Sequence, residues 1–129
     1  MEVTTNRELI KGVIADYFFD EEGILYSYSK NPKRTVENIS ENVALVKHIT
    51  GNKPVPVLVY LCDSPIPDKQ TRQLSREQLP NLYTAMAMVS MPGLSRLIMN
   101  ILFKLKTPPI PMRSFTNDKE ARAWLEQFL

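Results

Sequence analysis

The stretch that most constrains the fold is VLVYLC, residues 57–62, an unbroken run of apolar and aromatic residues. Its length suits a strand, and the absence of polar alternation is typical of a strand that is covered on both faces. Strands of that kind occur mainly in parallel sheets, whose crossover helices cover the two faces. This run therefore predicts a strand with layers of structure on both sides.

Helical and extended patterns alternate around this run. Helices are expected at four places, residues 35–51, 68–79, 94–106 and 116–129. Besides the central run, strands are expected in a hairpin within residues 9–29, at 82–89 and, in short form, within the proline-rich segment 107–115. The alternation predicts an α/β sandwich with a mixed, mostly parallel sheet of four to five strands and about four helices.

Local signals mark the ends of several of these helices. Thr35, Asp68 and Asn117 each precede a helical pattern, and their side-chain oxygens can accept a free backbone N–H of the first turn. Gly51 follows the first helix and can take the left-handed conformation that closes it. These positions predict where the helices begin and end.

Composition bounds the domain and its function. The 129 residues suit one domain, which we place at residues 8–129 after a disordered N-terminus at 1–7. A net charge of +2 without a basic face carrying aromatic residues does not indicate nucleic-acid binding. No run of about 18 uncharged apolar residues predicts a membrane span. One cysteine cannot form an intrachain disulfide, which fits a cytoplasmic protein.

No residue pattern indicates catalysis or a cofactor. His48 is the one histidine, and the chain has no glycine-rich phosphate loop and no nucleophile–base motif. Cys62 and Asp63 end the central strand, where ligands bind in open α/β sheets, but a buried thiol and a turn aspartate explain them as well. We therefore expect a protein that is no enzyme and that holds no metal or cofactor.

The element order and three stretches resemble the STAS-like proteins related to the sporulation anti-sigma-factor antagonists, which are SpoIIAA-like. The stretches are VLVYLCD, AMAMVSMPGLSRLIMNILFKLKTPPIPMRSF and DKEARAWLEQF. With the helix that follows Thr35, the likeness covers most of the chain from about residue 20. Its later part is similar to a branch of small bacterial STAS-like proteins without assigned biochemistry.

In anti-sigma-factor antagonists, a serine in an Asp-Ser-Ser-Gly loop at a helix start accepts phosphate and so switches partner binding. The resemblance places Asp68 at the family aspartate, Lys69 and Gln70 at the serines and Thr71 at the glycine. The accepting serine is thus missing from its usual place. We expect no phosphorylation here, with Thr71 and Ser64 as the remaining hydroxyls, and with Asp63 beside them in the same loop.

The helix predicted at 94–106 has an unusually wide apolar face. Five of its residues form a candidate interface or ligand surface: Leu97, Met99, Ile101, Leu102 and Phe103. If these side chains face another chain, the protein is a non-catalytic interaction module, acting as a homodimer or with a protein partner in a regulatory role. If they line a closed cavity, it binds a small apolar or lipid-like ligand, by analogy with lipid-carrier folds.

Overall fold

The protein is described here by a computed structural model over residues 9–30, 33–62, 67–89 and 108–129. Its strands are β1 (Ala15–Phe19), β2 (Leu25–Ser29), β3 (Val55–Tyr60), β4 (Tyr83–Val89) and β5 (Met112–Phe115). Its helices are α1 (Val36–Thr50), α2 (Lys69–Leu82) and α3 (Asp118–Leu125), followed by a 3₁₀ turn at Glu126–Phe128. The predicted helix at 94–106 and the predicted disordered residues 1–7 lie outside the described residues.

The five strands form one sheet whose spatial order is the order of the chain. β1 runs antiparallel to β2, and every later pair is parallel, in the register Leu25–Val57, Val57–Met86 and Met86–Met112. The predicted mixed, mostly parallel sheet is confirmed. Because β2 to β5 share one direction, their carboxyl ends lie along a single edge, which we call the carboxyl edge.

Two cores lie on opposite faces of the sheet. Helices α1 and α2 cover one face, where Val46 and Leu79 pack with Val57. Helix α3 covers the other, where Ala121 and Leu125 pack with Leu58. Val57 and Leu58 are adjacent in β3 and point to opposite faces, yet neither retains exposed surface. The prediction that β3 is covered on both sides is thus confirmed.

The predicted helix ends are confirmed by hydrogen bonds. The Asn38 backbone N–H donates to the Thr35 side chain at 3.1 Å, and the Thr35 N–H donates to the Asn38 side chain at 2.7 Å, which completes a capping box. Asp68 and Asn117 cap α2 and α3 by one hydrogen bond each, in which the side chain accepts the backbone N–H of the third residue onward. Gly51 closes α1 with φ of 69°.

Two boundaries differ from the prediction. Val13 and Ile14, expected in the first strand, lie in a turn, because Ile10 folds back to pair with Tyr17 and β1 begins only at Ala15. Helix α2 continues through Pro80 to Leu82 and passes directly into β4. Pro80 has no N–H to donate to the carbonyl four residues earlier, and the added residues bury the Leu82 side chain.

The turn before β1 depends on a close approach at Gly12. A Cβ atom there would lie 2.5 Å from the Ala15 carbonyl oxygen and 2.9 Å from the Leu45 side chain. The backbone oxygen cannot give way without moving the turn. We therefore expect Gly12→Ala to lower the free energy of unfolding by about 1–3 kcal/mol in urea denaturation.

Gly51→Asn is the control for this prediction. Nothing lies within 4 Å of a Cβ at Gly51, and asparagine tolerates the left-handed backbone, so its cost should stay under about 1 kcal/mol. Equal effects of the two substitutions would contradict the steric account of Gly12.

Candidate functional site at the carboxyl edge

Helix α2 begins at the carboxyl edge with Asp68 as its N-cap. The Thr71 backbone N–H donates to the Asp68 carboxylate at 2.8 Å. This hydrogen bond, together with the nearby Thr71 hydroxyl, lowers the pKa of Asp68. The Arg72 guanidinium donates to the Pro67 carbonyl at 2.8 Å and fixes the residue before the cap. The helix start is therefore already supplied with a negative charge.

Thr71 lies in the first turn of α2 with its side chain turned inward. It has no exposed surface. Its hydroxyl lies close to the Asp68 carboxylate but makes no well-formed hydrogen bond. A kinase could reach this hydroxyl only after the helix start had opened.

The other residues of the predicted loop divide into two groups. Lys69 and Gln70, which the resemblance places at the serines of anti-sigma-factor antagonists, are exposed at the start of α2. Asp63 and Ser64 lie outside the described residues, as do all five members of the predicted apolar surface: Leu97, Met99, Ile101, Leu102 and Phe103. Those roles remain predictions.

A second polar group at this edge was not predicted from the sequence. Asp16 is buried at the start of β1, where Lys30 pairs with it at 2.8 Å and the Gly12 N–H donates to it at 3.3 Å. Burial raises the pKa of the Asp16 carboxyl, but the hydrogen bonds from Lys30, Gly12 and Lys11 outweigh it, so the pKa is lowered overall. A lone aspartate within the apolar run VIADYFF is the signal that could have revealed it.

Arg34 joins the loop before α1 to the hairpin. Its guanidinium donates to the Lys30 carbonyl at 2.7 Å and to the Ile14 carbonyl at 3.2 Å. Burial of the guanidinium lowers the pKa of Arg34. Lys30 and Arg34, the two ends of the basic stretch KNPKR, thus both have structural contacts.

Beneath α1 lies a buried group of hydroxyls centred on Tyr17. Its phenol donates to the Asn42 side chain at 2.7 Å, and Ser27 and Tyr83 also hydrogen-bond to it. Burial raises the pKa of Tyr17 and, more strongly, that of Tyr83. Because these hydroxyls bond to one another, they stabilise the core and stay neutral near pH 7.

The opposite face is held by aromatic and ionic contacts. Tyr28 and Tyr60 stack with ring centroids 4.8 Å apart, and the Tyr60 hydroxyl donates to Asp118 at 3.1 Å. Burial and the Asp118 charge raise the pKa of Tyr60. Arg122 of α3 donates to the Tyr26 hydroxyl and pairs with Glu22 of the hairpin. These contacts fix α3 against β2 and β3.

The described part of the chain contains no group of three histidine, cysteine or carboxylate side chains that could hold a metal ion. Cys62 is half-buried near Arg34, and His48 is exposed in the last turn of α1, far along the helix from its start at the carboxyl edge. Among the same residues, no helix is long and apolar enough to cross a membrane.

The burial of Thr71 gives a sharp stability prediction. Thr71→Glu places a charge where no surface is exposed, and we expect it to lower the free energy of unfolding by at least about 2–3 kcal/mol. Gln70→Glu, one position earlier and exposed, adds the same charge near the positive end of α2 and should cost less than about 0.5 kcal/mol. Equal stability of the two variants in urea denaturation would show that Thr71 is accessible.

Asp16 makes the stability depend on pH. Its pKa is lower in the folded chain than in the unfolded chain, so its contribution is present above about pH 4 and is lost as the pH falls below that value. Asp16→Asn should therefore cost about 1–2 kcal/mol at pH 7, and the gap to the parent protein should shrink towards pH 3. Glu41→Gln, at an exposed site in α1, is the control and should show no such gap. A gap that stayed constant from pH 7 to pH 3 would contradict the pairing.

Known proteins resemble this chain in their fold and in a family profile. No curated protein matches the chain significantly. A solved structure with a SpoIIAA-like fold is similar, an uncharacterized protein of the DUF3478 family from Shewanella loihica PV-4. The TM-score is 0.60, the sequence identity is 13%, and the match covers 95% of this chain and 99% of the other. This similarity shows that the fold is SpoIIAA-like, as the sequence resemblance predicts.

The profile of one family, described as a domain of unknown function (DUF7793), matches residues 17–129. The chain belongs to that family.

Proposed function

We propose that this protein is a non-catalytic interaction module that binds a protein partner without a phosphorylation switch at the start of α2. The observation that carries the proposal is the closed start of α2, where Asp68 caps the helix and Thr71 is buried. A switch of the kind known in anti-sigma-factor antagonists needs an exposed hydroxyl at this place. Partner binding in this protein would then not respond to phosphate on this turn.

The other polar groups of the carboxyl edge favour a role in protein contacts over a role in catalysis. Asp16 is neutralised by Lys30, and Arg34 holds two backbone carbonyls. An enzyme needs a general base or nucleophile within hydrogen-bond reach of a partner group, with a pKa matched to its task. Each of the groups named here has a structural contact instead. The lone cysteine fits work in a reducing compartment such as the cytoplasm.

Native mass spectrometry of protein purified gently and without detergent tests this proposal first. We expect the bare chain mass, alone, in homo-oligomers or with a protein partner. A monomer that carries a few hundred daltons of extra mass would instead favour the ligand-binding alternative, in which the apolar helix at 94–106 covers a lipid-like molecule.

Site-specific photo-crosslinking in cells of the source organism tests the partner directly. A crosslinking amino acid at Gln70, exposed at the start of α2, should give a discrete protein adduct, identified by mass spectrometry. The matched control is Asn81, exposed at the other end of the same helix, which should give none. The absence of any protein adduct from Gln70, in cells where the variant is folded and abundant, would contradict an interaction role at this edge.

A further inference from the structure

Asn42 is a polar residue on the side of α1 that faces the sheet. It lies three residues after Ile39 and four before Val46, and both of these side chains are buried. Its side-chain oxygen accepts the hydroxyl of Tyr17, in β1, at 2.7 Å. This hydrogen bond joins α1 to the sheet beneath it, through two residues that are 25 apart in the chain.

Tyr17 is fixed in its place from the side of the sheet. It is 1% exposed, and Ser27 of β2 and Tyr83 of β4 also hydrogen-bond to its hydroxyl. Both of these partners are buried as well. The hydroxyl of Tyr17 is therefore held at one point of the face that α1 covers, and it can bond only to a helix residue that lies over that point.

The apolar residues on the same side of α1 recur at every turn. They are Val36, Ile39, Val43, Val46 and Ile49, which are spaced by three or four residues. A shift of the helix by one turn, about 5.4 Å along its axis, brings one such residue towards the place of another. Apolar packing by itself therefore discriminates weakly between neighbouring positions of α1 along the sheet.

A hydrogen bond discriminates strongly between the same positions. Donor and acceptor have to lie within about 3 Å of each other, so a shift of one turn breaks the bond from Tyr17 to Asn42. The buried Tyr17 hydroxyl then loses its acceptor, which costs free energy. A single buried polar residue fixes the register of coiled-coil helices for this reason.

We propose that the hydrogen bond between Tyr17 and Asn42 is a register lock, which holds α1 at one position along the sheet. Val46 of α1 packs in the same core as Leu79 of α2. A fixed α1 therefore gives α2 a fixed surface to pack on. The inference concerns the conformation of the chain, and it holds whatever partner the protein binds.

Thr50 offers a matched comparison on the same helix. It is buried, and its hydroxyl donates to the Val46 carbonyl at 3.0 Å. Since both groups belong to α1, this bond moves with the helix and does not fix its position. Thr50→Val therefore removes a buried hydrogen bond of α1 and leaves the register lock intact.

The distance between two spin labels, measured by pulsed electron spin resonance on the full chain, tests the inference. The labels are attached after Glu21→Cys and Glu41→Cys, both at exposed positions, in a Cys62→Ser background. Glu21 lies in the β1–β2 turn, and Glu41 lies on α1. Because α1 runs from the carboxyl edge back towards the end of the sheet with this turn, a shift along its axis changes the distance.

We expect one distance in the parent protein and the same distance in Thr50→Val. Tyr17→Phe with Asn42→Leu should give a second population, whose distance differs by up to about 5 Å, the length of one turn. Asn42→Asp keeps an oxygen that can accept the Tyr17 hydroxyl, so this variant should retain the parent distance. Asn42→Leu alone serves the same comparison if the double variant does not fold.

Three results would overturn the inference. The first is a double variant that keeps the single distance of the parent, because the helix caps, the connections and apolar packing would then suffice to place α1. The second is a parent protein with two distances. The third is a second population in Thr50→Val or in Asn42→Asp, because the shift would then not depend on the bond from Tyr17.

Discussion

The need to cover β3 on both faces determines the arrangement of the whole sheet. Val57 and Leu58 are neighbours in one strand, point to opposite faces and retain no exposed surface. One face is covered by α1 and α2, and the other by α3. A parallel sheet with crossover helices meets this requirement. Since β2 to β5 then run in one direction, the starts of α1, α2 and α3 all lie at the carboxyl edge.

Features with short-range causes could be predicted from the sequence, and features with long-range causes could not. Thr35, Asp68 and Asn117 cap their helices through a bond to the third residue onward, so their roles are visible within four residues. The contact of Arg122 with the Tyr26 hydroxyl joins residues 96 apart. No local pattern shows that pair, although the hairpin and the last helix were each predicted.

At the candidate site, too, features with short-range causes could be predicted from the sequence and features with long-range causes could not. The exposed positions of Lys69 and Gln70 follow from the cap at Asp68, which the sequence predicts. The burial of Thr71 depends on which side of α2 faces α1 and the sheet, and a helix with so few apolar residues does not reveal that side. Asp16 was missed because its partner Lys30 lies across the hairpin, and the turn at Gly12 that brings them together breaks the expected extended pattern.

The start of α2 is a capped helix terminus whose first turn has no exposed hydroxyl. The first-turn N–H groups attract negative charge, and in anti-sigma-factor antagonists a phosphoserine exploits this. Here the Asp68 carboxylate accepts the Thr71 N–H, and the Thr71 methyl and hydroxyl are buried behind it. A phosphate would have to compete with a carboxylate that is already in place and to enter a site without exposed surface. In the proposed function, partner binding therefore uses surfaces that are exposed without phosphorylation.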